Sequence, residues 1–353
     1  MKNICTLLCL FFLFSCSSDR DYDRNLSFGI QSDLKYRRRD ISPEFLIATQ
    51  DMAIIDSLLI IEDFVNRDYS LLVFNRFSYQ HKMYLGKKGN GPNEIINPRS
   101  ELTISASNNS FHLFDANSRR FFSYKVLKNG GIESTSHSFK SYKDEAFVLS
   151  LIKVKDYYVA TGMMGDFKHN RFLVFDKRFE LVNKCNGYPY LSDGIPHEHK
   201  SGLLHYNNSY EVKPDGTKIV FGTYIGATME IFDVSNLPYE IKSISEVNVI
   251  PPIYVDIPGP HGVQVQWDDE SILGFEDIFC TDNYIYTVIN GRSGDDEDFP
   301  NTIKVFDWNG KPIKQYNLNC GIVRLAVDEV NGIIYAVGVI NRQPTLIEFD
   351  MHS

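Results

Sequence analysis

Hydrophobic positions along this chain alternate or run in bursts of four to six, punctuated by Asp, Asn, Gly and Pro, and almost nowhere fall at helical spacing. Such bursts, rich in Val, Ile, Phe and Tyr, predict short β-strands joined by tight turns. One motif recurs: LLVFN at 71–75, FHLFD at 111–115, FLVFD at 172–176, MEIFD at 229–233, IKVFD at 303–307 and LIEFD at 346–350. Each copy places Phe fourth and closes on Asp or Asn, whose short side chain bonds a turning backbone and tolerates unusual dihedrals.

Most copies sit inside a larger unit. In IVRLAVDEVNGIIYAVGVINRQPTLIEFD, strands at 322–327 and 333–339 precede the motif strand. In ILGFEDIFCTDNYIYTVINGR followed by TIKVFDWNGKPIKQYNL, a fourth strand follows the Asn309-Gly310 turn. Four short antiparallel strands per unit, repeated six times, predict an all-β fold, a six-bladed β-propeller. The copy at 111–115 reads as the second strand of its blade. Spacings of 40 to 74 residues between copies place long loops in the middle blades. The last unit stops at Asp350 with three strands. A strand from Leu26 to Lys35 is expected to complete it and so join the N-terminus to the last blade.

The N-terminus carries a different pattern. MKNICTLLCLFFLFSC has one charge, Lys2, then an apolar run from Ile4 to Phe14, the length of a signal-peptide core and too short to span a bilayer. Leu13-Phe14-Ser15-Cys16 resembles a bacterial lipobox, with Phe14 bulkier than usual. The resemblance implies cleavage after residue 15 and lipidation of Cys16, with 16–25 as a polar tether and the propeller over 26–353. A plain secretory signal or an uncleaved anchor is the other reading. Ser17 stands where some bacteria place an inner-membrane retention Asp, and Asp19 and Asp21 resemble Bacteroidetes surface-export tethers. An outer-membrane lipoprotein, on the periplasmic or surface leaflet, is the expectation.

Composition narrows the function classes. The 353 residues are 43% hydrophobic and 23% charged, enough to bury a large core. The net charge of −9, which becomes −10 without Lys2, disfavours nucleic-acid binding. KYRRRD at 35–40 is too short to reverse this and reads as a solvated strand or linker. Cys5 and Cys9 lie in the signal. Cys185, Cys280 and Cys320 have no metal spacing and read as small buried hydrophobes, one disulfide among them remaining open.

GKKGNGPNEI at 86–95 invites a nucleotide-binding reading. It lacks the Lys-Ser/Thr ending of a P-loop, and Pro92 opposes the helix that a dinucleotide fingerprint needs. It reads instead as a crossing from the outer strand HKMYLG of one blade to the inner strand ELTI of the next. Gly86, Gly89 and Gly91 supply unusual dihedrals, Pro92 stiffens the crossing, and Glu94 or Arg99 is carried toward the channel. With the following INPRSELTI, the segment resembles the Gly-x-x-Gly-x-Gly-Pro-x-Glu signature of six-bladed TolB-like propeller lipoproteins of Bacteroidetes. That family usually has Gly at the position of Asn93 and often Phe at that of Ile95. The resemblance implies fold and location, and little about activity.

Residues just before or on the inner strands are the candidate ligand site at the channel mouth: Arg99, Glu101, Asp144, Glu145, Tyr210, Glu276, Asp277 and Arg324. Arg324 and Glu276-Asp277 interrupt otherwise apolar strands, so they face a channel, solvent or a partner; mutual pairing in a wet channel is the plainer alternative. His197, His199 and His205 could bind zinc, and Asp295, Asp296, Glu297 and Asp298 calcium, but both groups read as surface loops. GRSGD is not a nucleophile elbow. The reading is a non-enzymatic binding module for a glycan, peptide or envelope protein, with no cofactor expected and membrane contact through the lipid alone. The alternative is a lactonase-like or lyase-like propeller enzyme using a divalent metal. A structural subunit of an envelope complex is a third possibility.

Overall fold

The apolar bursts pair in chain order into six sheets. The computed structural model describes residues 26–42, 45–66, 68–96, 102–105, 108–139, 146–185, 208–250, 254–256, 263–265, 271–292 and 299–352. Blade I comprises Thr49–Ile55, Leu58–Asp63, Tyr69–Asn75 and His81–Lys87, from channel to rim. Blade II comprises Thr103–Ser105, Ser110–Asp115, Arg120–Val126 and Ile132–Ser138. Blade III comprises Phe147–Val154, Tyr157–Met163, Phe172–Phe175 and Leu181–Cys185. Blade IV comprises Asn208–Val212, Lys218–Thr223, Ala227–Asp233 and Lys242–Ile250, and a small hairpin, Tyr254–Asp256 with Val263–Val265, follows it. Blade V comprises Phe275–Cys280, Tyr284–Ile289, Thr302–Asp307 and Pro312–Leu318. Blade VI begins with Gly321–Asp328, Ile333–Ile340 and Gln343–Asp350.

The repeated motif does two jobs. Its Phe packs between blades: Phe74, Phe114, Phe175, Phe232, Phe306 and Phe349 are all buried. In blades I, III, IV and V the pairing with the outer strand slips at this Phe, so the motif marks a β-bulge that bends the blade's edge. Its terminal Asp or Asn holds the turn. Asn75 Oδ1 accepts the N–H groups of Phe77 and Ser78, and Asp307 Oδ1 those of Asn309 and Lys311. Asp115, Asp176, Asp233 and Asp350 act in the same way. The copy at 111–115 is the second strand of blade II, as its spacing predicts.

Hydrophobic cores lie between neighbouring blades, because each sheet buries both faces. Separate clusters fill the I–II, II–III, III–IV and IV–V interfaces. The V–VI and VI–I interfaces merge into one larger cluster that also takes in Leu34, Ile41 and Leu46 from the N-terminal segment. That merged core is where the ring closes.

An N-terminal strand completes blade VI, but the expected segment, Leu26 to Lys35, is one blade away. Ile30–Leu34 runs parallel to Pro312–Leu318 as a fifth strand on blade V. Arg37–Arg38, from the run read as a solvated strand or linker, pairs antiparallel with Gln343–Asp350 and is the missing fourth strand. The reason lies at Leu34, which is 1% exposed in the merged core and anchors the chain before it crosses. Arg39 N–H then donates to Leu346 O at 2.8 Å, and the Arg39 guanidinium pairs with Glu348, which also accepts Tyr79 Oη–H from blade I. An outer strand needs only backbone pairing on one side, so two exposed arginines serve.

Leu34→Ala should therefore lower unfolding free energy by about 2–5 kcal/mol in chemical denaturation. Ile30→Ser, four residues earlier and 53% exposed, should change it by less than about 0.5 kcal/mol. Equal effects would mean the segment is not fixed by Leu34.

Candidate functional site

Inner strands meet neighbouring inner strands across the channel wall, and four of the six carry a one-residue bulge at the same rung. Pairing slips between Thr49 and Asp51, Val148 and Ser150, Phe275 and Asp277, and Ile322 and Arg324. The extra residues are Gln50, Leu149, Glu276 and Val323. A bulge re-aims the side chains beside it. In blades I, V and VI these bulges put a charged residue on the interface between inner strands, and each charge staples one blade to the next.

Asp51 Oδ2 accepts the Leu102 N–H of the neighbouring blade at 2.6 Å, while its Oδ1 accepts Met52 N–H. Asp277 Oδ2 accepts Leu325 N–H from blade VI at 2.7 Å. Arg324 completes the set. Its guanidinium donates to Glu276 O at 2.8 Å, to Val323 O at 2.7 Å and to Gln50 O, and lies 3.4 Å from Glu276 Oε1. One arginine thus ties blades V, VI and I together.

Burial pushes the Asp51 carboxyl up to about 6, against the pull of its two N–H donors and Arg324. Burial likewise pushes Asp277 up to about 7, opposed by Arg324 and helped by the negative charge of Asp51. Glu62, 2% exposed on the second strand of blade I, lies well above the ordinary carboxylate value for the same first reason, with Asp51 adding to it. Arg324 and Lys88 pull the other way, and Lys88 Nζ donates to the carbonyls of Phe64 and Asn66 at 2.7 Å.

The glycine stretch is a crossing that closes on itself. Gly86 has φ 64° and an added Cβ would stand 2.7 Å from Ile95 Cδ1, so glycine is favoured there. Glu94 is not carried to the channel: its carboxylate pairs with Lys87 at 2.7 Å and caps Gly91 N–H at 2.9 Å. At Gly89, with φ 153°, an added Cβ would collide with that carboxylate. Pro92 and Asn93 lie at the same turn, where Ser136 Oγ–H of blade II donates to Asn93 Oδ1 at 2.6 Å. Both lysines are therefore engaged within the loop and its neighbours.

Above the Arg324 staple, on the face where inner strands begin, lie two adjoining clefts of about 540 and 560 Å³. The first is walled by the bulge residues Gln50, Glu276 and Val323, by Arg324, and by Leu46 to Thr49. The second lies between blades V and VI, lined by Arg292, Asn301, Asn319 and Cys320. Phe299, Val339 and Arg342 line both, so the two are continuous past the hairpin that joins Ile333–Ile340 to Gln343–Asp350. Burial raises the Cys320 thiol to about 11, so it stays protonated at neutral pH.

Of the residues proposed from sequence, the structure brings together Glu276, Asp277 and Arg324, with Asp277 below the cleft as a staple. Tyr210 sits elsewhere: 4% exposed, it packs on Phe221 in the III–IV core. Strand side chains alternate between blade faces, and both faces of a blade are buried against neighbours, so an inner strand alone does not aim a residue at the channel. Cys16, Arg99, Glu101, Asp144, Glu145, His197, His199, His205 and Asp295 to Asp298 lie outside the described residues. Cys185, Cys280 and Cys320 form no disulfide among the described residues. Sequence reading missed Asp51 and Glu62, and also the buried pair of Arg171 in blade III with Glu230 in blade IV at 2.7–2.8 Å. Arg171 also lies over the rings of Phe172, Phe221 and Phe232.

A family description of TolB-like six-blade propellers matches residues 44–330. The chain belongs to that family. Among solved structures, a Bacteroides fragilis protein described as exported is similar at TM-score 0.54 and 13% identity, over 91% of this chain and 98% of its own. A DUF4221 member from Bacteroides vulgatus is similar at TM-score 0.55 and 12% identity, over 90% of this chain and 98% of its own. At such identities the likeness is one of fold. No curated protein sequence matches this one.

The raised carboxyls make a pH prediction. Between the ordinary value of 3.8 and about 7, the folded state holds more protons at Asp277 than the unfolded chain does, so this residue's contribution to stability falls as pH rises through that window. Asp277→Asn keeps an oxygen for Leu325 N–H and removes the titration. The variant should gain on wild type by at least about 1 kcal/mol between pH 5 and pH 8 in urea unfolding. A constant difference would show that Asp277 is ionised throughout.

Proposed function

We propose that this chain is an exported, membrane-anchored binding module, presenting its channel-mouth cleft to a glycan, a peptide or an envelope protein. The open double cleft beside the seam carries this reading: it is concave and of ligand size, with 42%-exposed Phe299 among polar and charged neighbours. Its walls are strand ends and hairpin tips held by the Arg324 staple, a pre-ordered frame of the kind that keeps binding costs low. The lipobox and the exported description of the Bacteroides fragilis structure support an envelope location, with Cys16 as the lipidated residue and the outer membrane as the destination. The metal-dependent lactonase-like or lyase-like alternative finds no donor set among the described residues, where no three His, Cys, Asp or Glu side chains gather to hold a metal.

Anchoring and binding are tested separately. Cys16→Ala should move the protein from the membrane pellet to the soluble fraction of expressing cells; unchanged membrane association would remove the lipid-anchor reading. For binding, the detergent-solubilised full chain is presented to glycan, peptide and envelope-protein arrays. Hits that weaken at least tenfold in Phe299→Ser support the cleft, whereas hits indifferent to that change would place binding on another surface.

A further inference from the structure

The described lining of the clefts carries a charge opposite to that of the molecule. The chain has a net charge of −9, yet Arg292, Arg324 and Arg342 line the two clefts and Glu276 is their one carboxylate among the described residues. Glu276 is matched by Arg324, whose guanidinium is also held by three backbone carbonyls. Arg342 is differently placed. It makes no ion pair or hydrogen bond among the described residues, is exposed, and lines both clefts at once.

Its backbone is the second observation. Asn341 and Arg342 form the two-residue turn between Ile340 and Gln343, with φ 52° and 61°. Two consecutive positive φ values are the mark of a type I′ hairpin turn, whose second position favours glycine. Asparagine suits the first position; arginine at the second holds a left-handed conformation that side chains with a Cβ rarely adopt. A side chain kept at a strained position on the lip of a cleft points to a role in what the cleft holds.

Resting on the binding-module reading, we infer that the cleft takes a carboxylate-bearing saccharide, with Arg342 as the residue that receives its carboxylate. A guanidinium fork matches a carboxylate in two hydrogen bonds, which a diffuse positive surface does not. The rest of the lining suits a sugar ring. Phe299 offers an aromatic face to C–H groups, and the side-chain amides of Asn301 and Asn319 offer partners to hydroxyls. Asn319 Oδ1 already accepts Tyr36 N–H, leaving its two N–H groups as donors. An extended acidic peptide would draw instead on an open sheet edge. The hairpin bearing Arg342 is paired along its whole length, from Ile333 with Asp350 to Ile340 with Gln343, and offers its tip.

Arg342→Gly tests this, because a merely structural role predicts the opposite behaviour. Glycine relieves the positive φ, so the variant should melt at the wild-type temperature or above it. The full chain in detergent is titrated calorimetrically with trigalacturonate, with neutral trigalactose and with tetraglutamate. The inference expects trigalacturonate to bind, to weaken at least tenfold in Arg342→Gly with no loss of thermal stability, and trigalactose to bind at least tenfold more weakly. Equal binding of the neutral trimer, or acidic-trimer binding indifferent to Arg342→Gly, overturns the saccharide-carboxylate inference and leaves the cleft a binding site. Tetraglutamate binding in place of the sugar overturns the ligand class alone. Absence of binding by all three probes overturns the inference; if array screening also finds no cleft-dependent ligand, the binding-module reading falls with it.

Discussion

A ring of sheets has to close, and in this molecule closure depends on the contacts among blades V, VI and I. Blade VI has three strands of its own and borrows the fourth from the other end of the chain. Two adjacent blade interfaces there share one continuous core, which the N-terminal segment enters through Leu34, Ile41 and Leu46. Because both ends of the chain contribute to that core, it couples the stability of the last blade to residues some three hundred positions earlier. Contacts of such sequence separation are costly in loop entropy, and a large apolar burial is what offsets them.

Polar groups at the channel finish what the core begins. Bulges at a shared rung leave inner-strand residues out of the regular pairing, and charged side chains beside those bulges bond the backbone of the next blade. Buried carboxylates are costly to ionise, and Asp51 stands close enough to Glu62 and Asp277 to raise both. Arg324 offsets part of that cost and spends its donors on carbonyls from three blades. The same bulges that demand the staple also expose Gln50, Glu276 and Val323 to the cleft. Seam and site are therefore one construction, and the two clefts lie beside the closing blade.

The repeat was readable because its chemistry is local: a Phe for the blade interface and an Asp or Asn for the turn stand next to each other in every copy. The glycine crossing was readable for the same reason, since Gly86 and Gly89 answer to contacts within nine residues. The closing strand was only half readable. Ile30-Gln31-Ser32-Asp33-Leu34 has the pattern of a strand and became one, whereas Arg37-Arg38 has no pattern because an outer strand is defined by its backbone. The staples were hidden by distance: Asp51 meets Leu102, Asp277 meets Leu325 and Arg171 meets Glu230, at separations of 51, 48 and 59 residues. Tyr210 was misplaced because the sequence does not say which blade face a strand residue turns to.

The order in which the N-terminal segment meets the ring has a mechanical consequence. Tension entering the chain at residue 26 reaches the five paired positions of Ile30–Leu34 on blade V before it reaches Arg37–Arg38 on blade VI. The parallel strand must shear from its neighbour, and Leu34 must leave its socket, before force arrives at the two residues that complete the ring. Such a pull is thus absorbed by a sheet that is whole without that strand. The joint that holds the circle shut is the second thing pulled, and it is spared until the first gives way.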